Sequence, residues 1–448
     1  MADFSKPNVP RFSVDVYQNE YLPEGGGDVD AIVTVTATGG GTTGGAASAP
    51  RLHAPGGGPS AAVVLMVDCS GSMGHPPAKM RHARDATAAA VGTLRDGVRF
   101  AVVAGTHTAR EVYPGGGRLA VAGAATRQEA TRALGRLDAG GGTAIGTWLR
   151  LAGRLLTAAD VTIRHGILLT DGRNEHESAA GLRSALDACA GRFTCDARGV
   201  GTDWEVKEVT AVASALLGSA DIVADPAGLT ADFTRLMETA MGKEVADVAL
   251  RLWTPAGSTV RFVKQVAPAV EELTGRRTEA GPRAGDYPLG SWGDESRDYH
   301  VGVRVPPAGL GREMLAARVG LVIPEPDGGA RDLGAQGLVR AVWTDDVAVS
   351  TAINPQVAHY TGQAELAQAI RQGLELRRTG DIGGATAKLG RAVQLAGASG
   401  NADTAKLLAK VVDVVDAAAG TVRLKAAVGE ADEMTLDTRS TRTVRVKK

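Results

Sequence analysis

Cysteine is scarce in this 448-residue chain, and long apolar runs are missing altogether. Its three cysteines, Cys69, Cys189 and Cys195, are an odd number in a long chain, which argues against a disulfide framework and for buried free thiols in a reducing compartment. No apolar run approaches the roughly 18 residues that a membrane span needs. The opening "MADFSKPNVPRF" also has no basic stretch leading into an apolar one. The sequence therefore points to a soluble, cytoplasmic protein with no membrane span. An excess of either charge is absent too: 49 Lys and Arg stand against 50 Asp and Glu, so nothing electrostatic calls for nucleic acid or an anionic membrane as partner. Several catalytic signatures are likewise missing. There is no G-x-x-x-x-G-K-[ST], no G-x-S-x-G around Ser70 or Ser72, and no second acid two residues after Asp68.

The length implies more than one core. From 60 to 242 strand-like and helix-like segments alternate, beginning with "AAVVLMVD" and a helical stripe at Met80, Ala83, Thr87, Ala90 and Leu94. Such alternation predicts an α/β domain, a doubly wound and mostly parallel sheet with helices on both faces. On either side the pattern changes to period-two runs, "FSVDVY" and "DAIVTVTAT" before it and "VALRLW", "TVRFVKQV", "YHVGVRV", "LAARVGLVI" and "LVRAVW" after it. Neither flank has strands enough for a core of its own. The expectation is that strands in 1–50 and 243–352 combine into one antiparallel β-sandwich, with the α/β domain inserted between them. The Gly/Ala/Pro-rich stretch 38–60 reads as a flexible linker into the insertion. Residues 356–425 show helical spacing (Leu366, Ile370, Leu374; Leu407, Val411, Val414), and 426–448 has no core pattern and reads as a disordered tail.

Three polar clusters fall where strands of the α/β domain end. "MVDCSGSMG" places Asp68, Ser70 and Ser72 just past a buried strand, "AGGGTAIG" places Thr143 in a glycine loop before a helix, and "LLTDG" places Asp171 after a later strand. In open α/β sheets ligands bind beyond the carboxyl ends of the strands. Five side-chain oxygens can meet there. Oxygen-only donors select a hard divalent cation, magnesium first, with manganese or calcium as substitutes. Two carboxylates and three neutral hydroxyls leave such an ion under-neutralised, so it can accept an acidic oxygen from a partner. His75, His165 and His176 lie near the same loops and read as solvated loop residues; Trp148 and Trp204 read as packing.

Asp-x-Ser-x-Ser, a distant Thr in a Gly-rich loop, and Thr-Asp-Gly after a later strand resemble the metal-ion-dependent adhesion site of von Willebrand factor type A domains. The resemblance covers about 180 residues. It implies that Ser70 and Ser72 coordinate the metal directly, that Thr143 does so in the ligand-competent state, and that Asp68 and Asp171 act directly or through water. The layout, with "YPLGSWGDESRDYHVGVRV" in the second flank, is also similar to bacterial multidomain proteins of this superfamily, especially those of actinomycetes.

The function expected is non-enzymatic, a divalent-metal-dependent protein-binding module whose metal joins an Asp or Glu of a partner. The alternatives are a metal-assisted hydrolase using Asp68 or Asp171 as base, and a structural scaffold with a vestigial metal site. In the tail, Thr435, Thr438, Ser440, Thr441 and Thr443 lie among acids and arginines. If disordered, they would be open to a Ser/Thr kinase and then to a forkhead-associated reader.

Overall fold

The computed structural model describes residues 10–39, 60–325 and 328–446. The glycine-rich linker expected at 38–60 lies almost wholly outside the described residues. The described chain divides into two units, 60–246 with Gly290–Gly293, and 10–39 with Asp247–Leu289 and 294 onward.

In the first unit the strand Ala61–Asp68 is buried at every position, as a fully covered parallel strand must be. Its neighbours Arg99–Gly105 and Ile163–Thr170 run parallel to it, one on each side. Beyond Ile163–Thr170 the parallel set continues through Thr194–Val200 and Ala220–Val223, and the other edge is closed by the antiparallel Ala109–Tyr113. Side-chain alternation assigns the two faces. Val63, Leu65 and Val67 cluster with Met80, Ala83 and Ala90 of helix Ala78–Thr93 and with Phe233 and Met237 of helix Leu229–Met241. On the opposite face, helices Ile145–Thr157 and Ala179–Cys189 pack together, so closely that a Cβ on Gly153 would come within 3.4 Å of the Cys189 sulfur. Trp148 and Trp204 are both buried, and the three cysteines are free and buried. Trp148 lies so close over Gly105 that a Cβ there would come within 2.2 Å of its ring.

This topology fixes where a site can form. The chain leaves Ala61–Asp68 for a helix on one face and leaves its neighbour Ile163–Thr170 for a helix on the other. Two adjacent parallel strands whose continuations diverge open a crevice at their carboxyl ends.

The second unit is built on two largely antiparallel sheets, one of which takes the short strand Tyr21–Leu22 in parallel beside Ala330–Trp343. Arg11–Gln18 pairs with Asp28–Thr38, which pairs with Glu295–Arg304 from Ala37↔Glu295 to Asp28↔Arg304, and this strand pairs with Thr259–Ala267. The other sheet contains Ala284–Trp292, Val245–Trp253, Glu313–Pro324 and Ala330–Trp343. The sheets approach closely where Val14 and Val16 face Gly337, at which a Cβ would lie 2.6 Å from Val16 and 2.9 Å from Val14. The N-terminal strands are thus completed by strands that follow the α/β unit, which is inserted between them.

Helices Pro355–Arg378, Ile382–Ala398 and Ala402–Val411 follow and share a core of Leu366, Ile370, Leu374, Leu389, Val393 and Leu408. Two expectations need correction here. The helical spacing read through Val414 ends at Val411, where the chain turns into a hairpin of Val412–Asp416 and Thr421–Leu424. The stretch after 425 is not disordered over its described residues. It forms the helix Glu430–Arg439, whose Leu436 is fully buried in the same core. Of the hydroxyls offered to a kinase, Thr438 and Ser440 are buried, Thr435 donates to the Ala431 carbonyl, Thr443 donates to the Val266 carbonyl at 2.6 Å, and Thr441 is half-buried. The kinase and forkhead-associated reader were expected on the hydroxyls of a disordered tail, and the fold removes that premise where the hydroxyls lie in or beside the helix Glu430–Arg439, with Thr438 and Ser440 buried. No helix among the described residues is long and apolar enough to cross a membrane.

Candidate functional site

Three loops at the carboxyl ends of the α/β sheet are sewn together by backbone hydrogen bonds. Gly71 N–H donates to the Gly141 carbonyl at 2.9 Å and Gly140 N–H to the Cys69 carbonyl at 2.8 Å, joining the first loop to the second. His176 N–H donates to the Thr143 carbonyl at 3.0 Å, and Thr143 N–H to His176 Nδ1 at 3.3 Å, joining the second to the third. Gly141 has φ +81°, a backbone that other residues rarely adopt, and at Gly142 a Cβ would strike the His176 ring. The glycines of "AGGGT" therefore let this loop pass close beneath the histidine. Helix Ile145–Thr157 begins at once, and its first amides are satisfied from the third loop: Ile145 N–H by Asn174 Oδ1 and Gly146 N–H by Glu177 Oε2, both at 2.7 Å.

The side chains follow from this frame. Asp68, fully buried, accepts from Ser70 N–H at 2.7 Å on Oδ1 and from Thr170 Oγ1 at 2.6 Å on Oδ2. Ser72 Oγ donates to Asp171 Oδ1 at 2.7 Å. Because that proton is committed, Ser70 is the donor in the 2.9 Å contact between the two serine oxygens. Lys79 donates to Asp171 Oδ2 at 2.8 Å and to Asp203 Oδ2 at 3.0 Å. Thr143, almost fully buried, completes the group from the second loop. A Cβ on Gly172 would lie 3.1 Å from Ser72 Oγ, 3.1 Å from Thr143 Oγ1 and 3.6 Å from Ser70 Oγ. Three hydroxyls from two loops thus surround one point, and glycine leaves it clear.

Electrostatically the cluster is loaded toward anions. Burial pushes the Asp68 carboxyl up to about 6, against the hydrogen bonds from Ser70 and Thr170, and the nearby negative charge of Asp171 adds to the rise. Such a group gains from a cation nearby. The five residues singled out in the sequence are therefore gathered at one place. Sequence reasoning missed Lys79, whose position in a helix reads as solvent-facing, and His176 as the partner of the Thr143 amide. Among the described residues no three His, Cys, Asp or Glu side chains gather as a metal cluster. The donor set is two carboxylates and three hydroxyls, a hard set suited to magnesium-like ions rather than to softer metals.

Residues 61–222 match the profile of the von Willebrand factor type A domain, and residues 394–440 match that of the von Willebrand factor type A C-terminal domain. Among solved structures, a von Willebrand factor type A protein from Catenulispora acidiphila is 49% identical, with 99% of each chain covered and a TM-score of 0.91. The ArnB paralog VWA2 from Sulfolobus acidocaldarius shares the fold at 14% identity, over 96% of this chain and 98% of that one, with a TM-score of 0.61. The human COPII-coat protein Sec24c is similar in fold at 10% identity, over 86% of this chain and 57% of that one, with a TM-score of 0.52. No curated protein sequence matches the chain.

Proposed function

Because this chain belongs to the von Willebrand factor type A family, we propose that its α/β unit is a divalent-cation-dependent protein-binding module and that it works without catalysis. In this reading Asp68, Ser70, Ser72, Thr143 and Asp171 hold a magnesium ion, for which manganese or calcium can substitute. The observation that carries it is the convergence of Ser70, Ser72 and Thr143 on the point left clear by Gly172. When bound, the ion supplies a Lewis-acidic position for a carboxylate oxygen from an Asp or Glu of a partner protein. The chain's own part is to hold neutral hydroxyls there, so that the site is not saturated with negative charge before the partner arrives. Backbone bonds between the loops fix those hydroxyls in advance, which lowers the ordering cost of binding.

A hydrolytic role is less well supported by the same geometry. Both Asp68 oxygens accept hydrogen bonds from Ser70 and Thr170, and both Asp171 oxygens accept from Ser72 and Lys79. A general base needs an oxygen directed at substrate. The deciding experiment is capture of partners by the immobilised protein in magnesium and then in chelator, alongside an Asp68→Ala control. Capture that depends on magnesium and on Asp68 supports the module, and capture indifferent to both overturns it.

A further inference from the structure

Lys79 occupies the first turn of helix Ala78–Thr93, the end at which the helix dipole disfavours a cation. Its side chain is nevertheless only 6% exposed, held between the buried Asp171 and the largely exposed Asp203. The loop carrying Asp203 turns at Gly201, with φ +67°, and passes against the lysine stem, where a Cβ would sit 3.7 Å from Cε. A lysine in an unfavourable helical position, drawn inward to a buried carboxylate and gripped by a second one from another loop, is a placed charge.

We propose that Lys79 is a tethered counter-cation of the metal site: its ammonium competes with the divalent ion for Asp171 and so sets how tightly the ion is held. The inference rests on the cation-binding reading above and adds to it a determinant of affinity.

The test measures binding of manganese alone by titration calorimetry to wild type, Lys79→Met and Lys79→Gln, the last retaining a donor for Asp171 without the charge. Both variants are expected to bind manganese on the order of tenfold more tightly than wild type, the scale of one unit charge removed at close range in a partly buried site. Wild type that binds while both variants bind equally or more weakly overturns the role of Lys79 and leaves the metal site standing. Variants that bind while wild type does not support the lysine as the resident cation and overturn the cation-dependent module. Absence of binding by all three overturns both. If the variants fold only with manganese present, the ion is replacing the ammonium, which supports the proposal; if neither folds even then, the lysine is structural and the proposal falls.

Discussion

Ser72 and Asp171, 99 positions apart in the chain, are joined by a 2.7 Å hydrogen bond from Oγ to Oδ1. The bond closes the crevice between the diverging continuations of two adjacent strands. The first loop supplies Asp68, Ser70 and Ser72, the second Thr143 and the third Asp171, so each loop can be tested alone.

Asp68→Ala is expected to abolish magnesium binding while the chain stays folded. The buried Ser70 N–H and Thr170 hydroxyl lose their acceptor, so a destabilisation of about 1–3 kcal/mol should accompany the loss. Titration calorimetry and thermal melting of the same sample measure the two effects. Undiminished affinity in the folded variant would remove Asp68 from the site.

Gly172→Ala should block the ion without deleting a donor. Its methyl would stand about where the three hydroxyls converge, within 3.1 Å of two of them. A loss of magnesium affinity of at least about tenfold is expected, with little change in circular dichroism, since crowding at a loop does not reach the sheet core. Wild-type affinity in this variant would mean that the ion is held elsewhere.

Much of this site was legible because each of its three loops carries its own local signal. Ala61–Asp68 declares itself by an unbroken apolar run, and the acid and hydroxyls come immediately after it. Lys79 was not legible, since a lysine on a helix is ordinarily solvated and only the fold brings Asp171 and Asp203 to it. Ala284–Trp292 was hidden for a different reason: its proline and glycines read as turn residues, while its burial comes from the neighbouring sheet strands. Glu430–Arg439 is charged and has few apolar residues. Leu436 settles it only through a core supplied by residues far earlier in the chain. Each miss is a tertiary contact overriding a local pattern.

Removal of residues 1–39 should destabilise the β-sandwich selectively. Asp28–Thr38 is hydrogen-bonded along Glu295–Arg304, so its loss leaves a long unpaired edge and uncovers what its two faces cover, at Ile32 on one and at Val33 and Val35 on the other. Hydrogen exchange in 247–343 should accelerate, while exchange in the strands Ala61–Asp68 and Ile163–Thr170 stays slow. Unchanged protection in 247–343 would contradict the paired arrangement.

Arg445→Ala tests the anchor of the C-terminal segment. Arg445 grips Asp298 through Nε at 2.8 Å and Nη2 at 2.6 Å, and Tyr360 and Thr34 donate to the same carboxylate. Burial works against the charge of Asp298, but these partners hold its pKa below the ordinary 3.8. The resulting stabilisation is present in full above that ordinary value and is lost as the pH falls through the lower, folded one. Because Arg445 is partly exposed, about 1–2 kcal/mol is expected for the pair. Melting temperatures of wild type and variant should differ by a steady margin from pH 5 to 7 and converge below about pH 4. A margin that does not narrow in acid would show that the arginine acts by packing alone.

The insertion of one unit into the other also sets a timetable for synthesis. Thr34 and Asp298 share a hydrogen bond yet are 264 positions apart, so on a ribosome the first must wait on the order of 10 to 50 s for the second to emerge. Until then Arg11–Gln18 and Asp28–Thr38 have only each other, and an isolated two-stranded ribbon is marginal in water. The α/β unit can finish while the sandwich is still half made. Throughout that interval the apolar edge of Asp28–Thr38 is open to other nascent chains, so the yield of folded protein depends on how quickly the stretch beyond residue 245 is delivered to it.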